Sequence, residues 1–211
     1  MWHAMPLVTR VFRGYAWAGH KIGVEGNMKR ILLAILAAAI APLAVSARQG
    51  AAPAAAAPEA NPVSSALRGI VARESREVVA AADEMPAAKY SYHPTPAQMT
   101  FGHLVVHMAT FNFGMCSTIS GVAAPKQDLN ETDPKDKLVG ALKASFDFCT
   151  TSFANLDDSK LGEQLPFFGG RTASRATLMF VLAADFADHY STEASYLRLN
   201  GLLPPSAQPR K

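Results

Sequence analysis

Residues 101–115, FGHLVVHMATFNFGM, and residues 184–205, ADFADHYSTEASYLRLNGLLPP, decide the fold of this chain. The first stretch is apolar nearly all the way round, the pattern of a helix buried on every side. The second carries Asp185 and His189 four residues apart, then Gly201 where a helix can close in the left-handed conformation, then Pro204 and Pro205, which cannot continue it. Positions i and i+4 share a helix face, so Asp185 and His189 point the same way, together with Leu178, Leu182 and Tyr196. A carboxylate on that otherwise apolar face has to be paired, hydrogen-bonded or bound to a cation, because burying it bare is strongly unfavourable.

Two further helices complete a set of four. Ser64 or Ser65 can cap a first helix from about Ala66 to Ala82, with Leu67, Ile70, Val71, Val78 and Val79 at helical spacing. The second, about Ala97 to Ile119, follows the Pro-containing entry HPTPAQ; Gly121 and Pro125 then mark a loop. Asp133 as cap and Pro134 in the first turn open a third helix, about Pro134 to Leu156, with Leu138, Leu142 and Phe146 at steps of four. After Gly169 and Gly170 the fourth runs from about Ser174 to Asn200. No segment shows strand alternation, so the fold class is all-α, a four-helix bundle over residues 64–206.

The first 63 residues read differently. Met28, Lys29 and Arg30 form a basic head, residues 31–45 an apolar stretch, and Val45, Ser46 and Ala47 suit cleavage after Ala47. Residues 1–47 thus read as an upstream extension plus an export signal, and residues 48–63 as an Ala/Pro-rich linker. The apolar stretch is interrupted by Pro42 and falls short of the roughly 20 residues a bilayer span needs, so no stable membrane span is expected after cleavage. The expected location is the periplasm or the exterior. The whole chain carries a net charge of +3, but beyond Ala47 there are 15 basic and 16 acidic side chains, a net charge of −1. With no basic stripe there, nucleic acid is not an expected partner.

His107 lies on the second helix, and with Asp185 and His189 it offers two imidazoles and a carboxylate, enough for three positions of a divalent metal with others left open. A salt bridge or hydrogen bond between Asp185 and His107 would satisfy the carboxylate equally well. His103, four residues before His107, is a fourth ligand, a supporting partner, or a polar residue at the mouth of the bundle.

The segments PTPAQMTFGHLVVHMATFNFGMCS (94–117) and ADFADHYSTEASYLRLNGLLPP (184–205) resemble the second and fourth helices of the DinB-like superfamily, four-helix bundles that usually carry a three-histidine metal site. The resemblance covers residues 64–206. It implies that His107 and His189 are metal ligands, with Asp185 where the family has the first histidine of an HxxxH pair. Asp makes a harder site than the family's three histidines, with one more negative charge; the resemblance implies a divalent transition ion, Zn, Ni, Fe or Mn.

The resemblance also implies an up-down-down-up topology with a long crossover between the second and third helices. In an antiparallel hairpin Cys116 and Cys149 would lie roughly 15 Å apart along the axis; in parallel helices they can meet. Export and parallel helices together predict a Cys116–Cys149 disulfide, the alternative being two buried thiols.

For function, the family resemblance implies a metal-dependent enzyme. Export favours a hydrolase over a thiol-dependent transferase, because low-molecular-weight thiol cosubstrates are intracellular. The general base is unassigned, with Asp188 a weak candidate. A bundle that binds a metal or ligand without turnover is the second reading, with Phe111, Phe113, Phe186 and Tyr190 as pocket-lining aromatics; a bundle whose site has decayed is the third. The expected partners are a small-molecule substrate of unspecified identity and, in a homodimer, a second copy of the chain.

Overall fold

The computed structural model describes residues 57–209; the upstream extension, the export signal and the first part of the linker lie outside the described residues. Four long helices carry the fold: α1 (Pro62–Glu84), α2 (Phe101–Ser120), α3 (Lys135–Ser152) and α4 (Arg175–Leu199). Paired residues give their directions. Asn112 and Cys116 of α2 meet Ser145 and Cys149 of α3, so these helices run parallel. Glu77 of α1 meets Tyr190 of α4 while Pro62 and Val63 lie beside Met179 and Phe180, so that pair is parallel too. Between the pairs the sense reverses: Arg68 and Asp83 of α1 meet Leu156 and Lys135 at opposite ends of α3, and Met99 and His107 meet Tyr196 and Asp185 on α4. The long connection from Gly121 to Pro134 makes the crossover.

The core fills the space between all four helices, with Phe101, Met108, Phe146, Phe153, Phe186 and Leu182 among its fully enclosed side chains. Cys116 and Cys149 form the expected disulfide, with Cα atoms 5.2 Å apart, and tie the parallel pair near its C-terminal end. Among the described residues no helix is long and apolar enough to cross a membrane.

Several boundaries differ from the sequence reading, each for a physical reason. Helix α1 begins at Pro62, inside the stretch expected to be linker, because Pro needs no N–H partner in a first turn. Its cap is remote: the amides of Val63 and Ser64 donate to the Asp158 carboxylate at 2.9 and 2.8 Å, and the Ser64 hydroxyl at 2.6 Å. Ser64 therefore donates to a cap rather than being one. Helix α2 starts four residues later than expected, capped by the Thr100 hydroxyl, which accepts from the His103 amide at 3.0 Å. Asp133 does not cap α3; it accepts from the Asn130 amide and pairs with Lys137, both at 2.8 Å. The C-terminal end of α3 comes at Ser152, where the Arg68 guanidinium donates to the Leu156 carbonyl at 2.8 Å.

The all-α reading missed one element. Between α3 and α4 lies a two-stranded antiparallel hairpin, β1 (Gln164–Phe167) and β2 (Arg171–Ser174), pairing Gln164 with Ser174 and Phe167 with Arg171. Its tip turns on Gly169 and Gly170, at φ 66° and 71°, values that favour glycine. Four-residue strands on the surface are too short to carry a readable alternation.

At the start of α2, Gly102 donates its amide to the Tyr90 carbonyl at 2.7 Å, and a side chain there would bring its Cβ to 2.5 Å from the carbonyl oxygen of Glu131 in the crossover. Glycine is thus what allows the crossover to lie against α2, five residues before His107.

Candidate metal centre

Helix α2 presents His107 to helix α4, which presents Asp185 and His189 from consecutive turns. One donor atom from each of the three lies within 4.8 Å of the others. Asp185 Oδ1 is 3.4 Å from His189 Nδ1 and 4.0 Å from His107 Nε2. The two imidazoles stack, with centroids 4.6 Å apart and planes at 27°. Asp185 and His189 are mostly buried, while His107 keeps a third of its side chain exposed and forms the open side of the cluster.

His189 Nδ1 lies 2.8 Å from the backbone carbonyl oxygen of Asp185, one helical turn back. A carbonyl only accepts, so the proton belongs on Nδ1 and Nε2 keeps its lone pair. This is how a ligating histidine is ordinarily oriented.

Asp185 is the least satisfied member. Its Oδ2 is inaccessible to solvent and has no hydrogen-bond partner. Burial pushes its pKa up to about 6, against the downward pull of His189, with Asp188 adding to the rise. Burial also lowers the pKa of His107, helped by the proximity of His189 and His103. At neutral pH the cluster thus holds a carboxylate and a neutral His107 imidazole, the protonation states a cation requires. An ion pair with His107 at 4.0 Å leaves Oδ2 unanswered; a cation bound between the three side chains would answer it. The donor set fits a divalent transition ion.

His103 stands outside the cluster. Its exposed ring turns to Glu131 of the crossover, Nδ1 to Oε2 at 3.3 Å. Asp188 is exposed and is not among the three clustered donors. Of the four aromatics, only Phe111 lies beside the site, its ring 5.9 Å from that of His107. Phe113 packs on Phe148 and Phe186 on Phe146 in the interior, while the Tyr190 hydroxyl donates to Glu77. Their spacing fits core as well as pocket; Phe113 and Phe186 are core, and Tyr190 packs partly buried against it.

Two features escaped the sequence reading. Glu193, one turn beyond His189, is fully enclosed, and neither of its carboxylate oxygens has a partner. Burial holds its pKa well above the ordinary carboxylate range. The signal was present, since residues 185, 189 and 193 continue one i+4 stripe. The second is the hairpin, whose Pro166, Phe167 and Phe168 close over the face of α2 that carries His107 and Phe111. Nothing local in the sequence places those residues there.

Comparison with known proteins agrees with this architecture. A DinB-like protein from Bacillus subtilis, YjoA, superposes with a TM-score of 0.57 at 19% identity, covering 69% of this chain and 99% of that one. A variant of a mycothiol-dependent maleylpyruvate isomerase superposes with a TM-score of 0.50 at 12% identity, covering 61% of this chain and 59% of that one. At these identities the likeness is one of fold. Comparison with curated proteins gives no sequence match. The DinB superfamily model matches residues 71–192, from the middle of α1 to the turn after His189. The chain belongs to the DinB superfamily.

Proposed function

We propose that the chain is an exported metal-dependent hydrolase in which His107, Asp185 and His189 hold a divalent transition ion, Zn, Ni, Fe or Mn. The observation that carries the reading is Asp185, a buried carboxylate with one oxygen unpartnered, within reach of two imidazole donors. Such an ion, when bound, acidifies a bound water or polarises a carbonyl. The chain's own residues supply the rest. The carbonyl of Asp185 fixes the His189 ring, burial keeps His107 neutral, and the exposed side of His107 leaves room for a small molecule. Nucleic acid has no place in this reading, because the charge beyond Ala47 is near neutral.

Two observations support export: the signal-like order of residues 28–47, and the Cys116–Cys149 disulfide, a bond that persists in oxidising compartments. Export also favours hydrolysis over thiol chemistry. The thiol-dependent transferase reading keeps one specific support, the likeness in fold to the mycothiol-dependent isomerase. A bundle that binds the ion without turnover is the remaining alternative.

The test is turnover of a panel of esters, amides and thiol conjugates by protein loaded with each of the four metals. Hydrolysis of esters or amides that disappears in His107→Ala supports the reading. Activity only on thiol conjugates would move it to the transferase, and metal binding without any turnover to the binding module.

A further inference from the structure

Beside the candidate metal centre, a groove of about 460 Å³ runs along α2 under the hairpin. Its floor is His107, Phe111, Gly114 and Thr118, residues on one helix face, and its roof is Phe167 and Phe168. That volume falls in the range of small-molecule sites. None of the lining residues is an acid, a lysine or an arginine. The Thr118 hydroxyl already donates to the Gly114 carbonyl at 3.0 Å, so it has no free proton for a ligand.

The rings along this path are aligned. His189 stacks on His107 at 27°, His107 on Phe111 at 25°, and Phe111 on Phe168 at 25°, with centroids 4.6, 5.9 and 6.1 Å apart. Four rings, each tilted 25–27° from the next, thus lead from the metal-site donors to the lip of the groove, where Phe168 is 55% exposed. Offset stacking on such faces favours a flat, uncharged π-system over a branched aliphatic or charged group. Gly114 keeps the floor open: a Cβ built there meets nothing within 4 Å.

We infer that this groove binds an uncharged aromatic group of the substrate, seated over Gly114 against Phe111, Phe167 and Phe168, with its reactive end toward His107. Its role as a substrate subsite rests on the metal-centre reading above; the binding of an aromatic group does not.

The experiment uses this difference. The full chain, stripped of metal with a chelator, is titrated with 2-naphthol by calorimetry, alongside Gly114→Leu and with cyclohexanol as an aliphatic control. Leucine suits a helix better than glycine and would project into the groove, so the variant should fold, as checked by its melting curve. Expected is one-site binding of 2-naphthol, weaker binding of cyclohexanol, and a loss of roughly tenfold or more in Gly114→Leu as the side chain fills the space. Equal binding by wild type and Gly114→Leu, no binding of 2-naphthol, or equal preference for cyclohexanol would overturn the inference. So would self-association abolished by Phe168→Ser, which would give the groove to a second copy of the chain. Zinc uptake is measured on the same samples. Zinc retained without naphthol binding sinks the groove alone, and naphthol bound without zinc uptake sinks the metal centre while leaving the aromatic site in place.

Discussion

His189 donates from Nδ1 to the carbonyl of Asp185 at 2.8 Å, so one residue of the pair fixes the ring of the other with its backbone and faces it with its side chain. The two roles are separable. Asp185→Asn keeps the backbone acceptor and the shape but removes the charge. It should weaken zinc affinity by more than about a hundredfold, beyond the roughly 10–100-fold that loss of an outer-shell partner costs, with little change in fold. Competition with a chromogenic chelator measures it; unchanged affinity would remove Asp185 from the ligand set.

Metal affinity should depend on pH in a definite direction. Asp185 ionises with a pKa of about 6 before any ion binds, so protons compete with the metal below that value. Burial lowers the pKa of His107, so its proton competes with the metal less than that of an ordinary imidazole. Affinity should therefore be nearly level above about pH 7 and fall as pH drops through 6. Zinc titrations from pH 5 to 8 check this.

Glu193 predicts a stability profile. Its pKa is raised in the folded state, so the native chain holds a proton that the unfolded chain has released above its ordinary carboxylate pKa. Stability contributed by this group is complete below about pH 4 and declines as pH rises, by about 1.4 kcal/mol per pH unit until the folded pKa is reached. Glu193→Leu removes the titrating group. Its advantage over wild type in urea unfolding should grow from pH 4 to pH 7, on top of a difference that does not depend on pH.

The crossover and the disulfide each fix the parallel pair of helices. Gly102→Ala would press its Cβ against the Glu131 carbonyl and should cost about 1–3 kcal/mol. Reducing the Cys116–Cys149 bond, which closes a separation of 33 residues, should cost about 3–4 kcal/mol by the chain-entropy relation. Denaturant melts with and without reductant measure both. A titration of unreduced, denatured protein should find no thiol.

How much of this was legible follows from range. The four helices announce themselves through local period and punctuation: the apolar run at 101–115, Ser174 before α4 and Gly201 after it. The donor set was legible because Asp185 and His189 share a helix face and His107 sits on the most buried helix. Their placement against one another came from family resemblance, since nothing in the spacing of residues 107 and 185 fixes it. What stayed hidden is long-range. Asp158 caps α1 across 94 residues of chain, and Phe168 reaches the ring of Phe111 through a hairpin too short to show a strand pattern. His103 was ambiguous because its neighbour Glu131 belongs to the crossover. Glu193 was the avoidable miss, standing at the next step of the stripe that revealed Asp185 and His189.

The central claim is that three side chains from two helices form one cation site. The most direct measurement is the zinc stoichiometry of the purified full chain by elemental analysis after dialysis, compared with His107→Ala combined with His189→Ala. One ion per chain, lost in the double variant while its helical content is kept, is the predicted result. Equal metal content in the two proteins, or none in the wild type after loading, would contradict it.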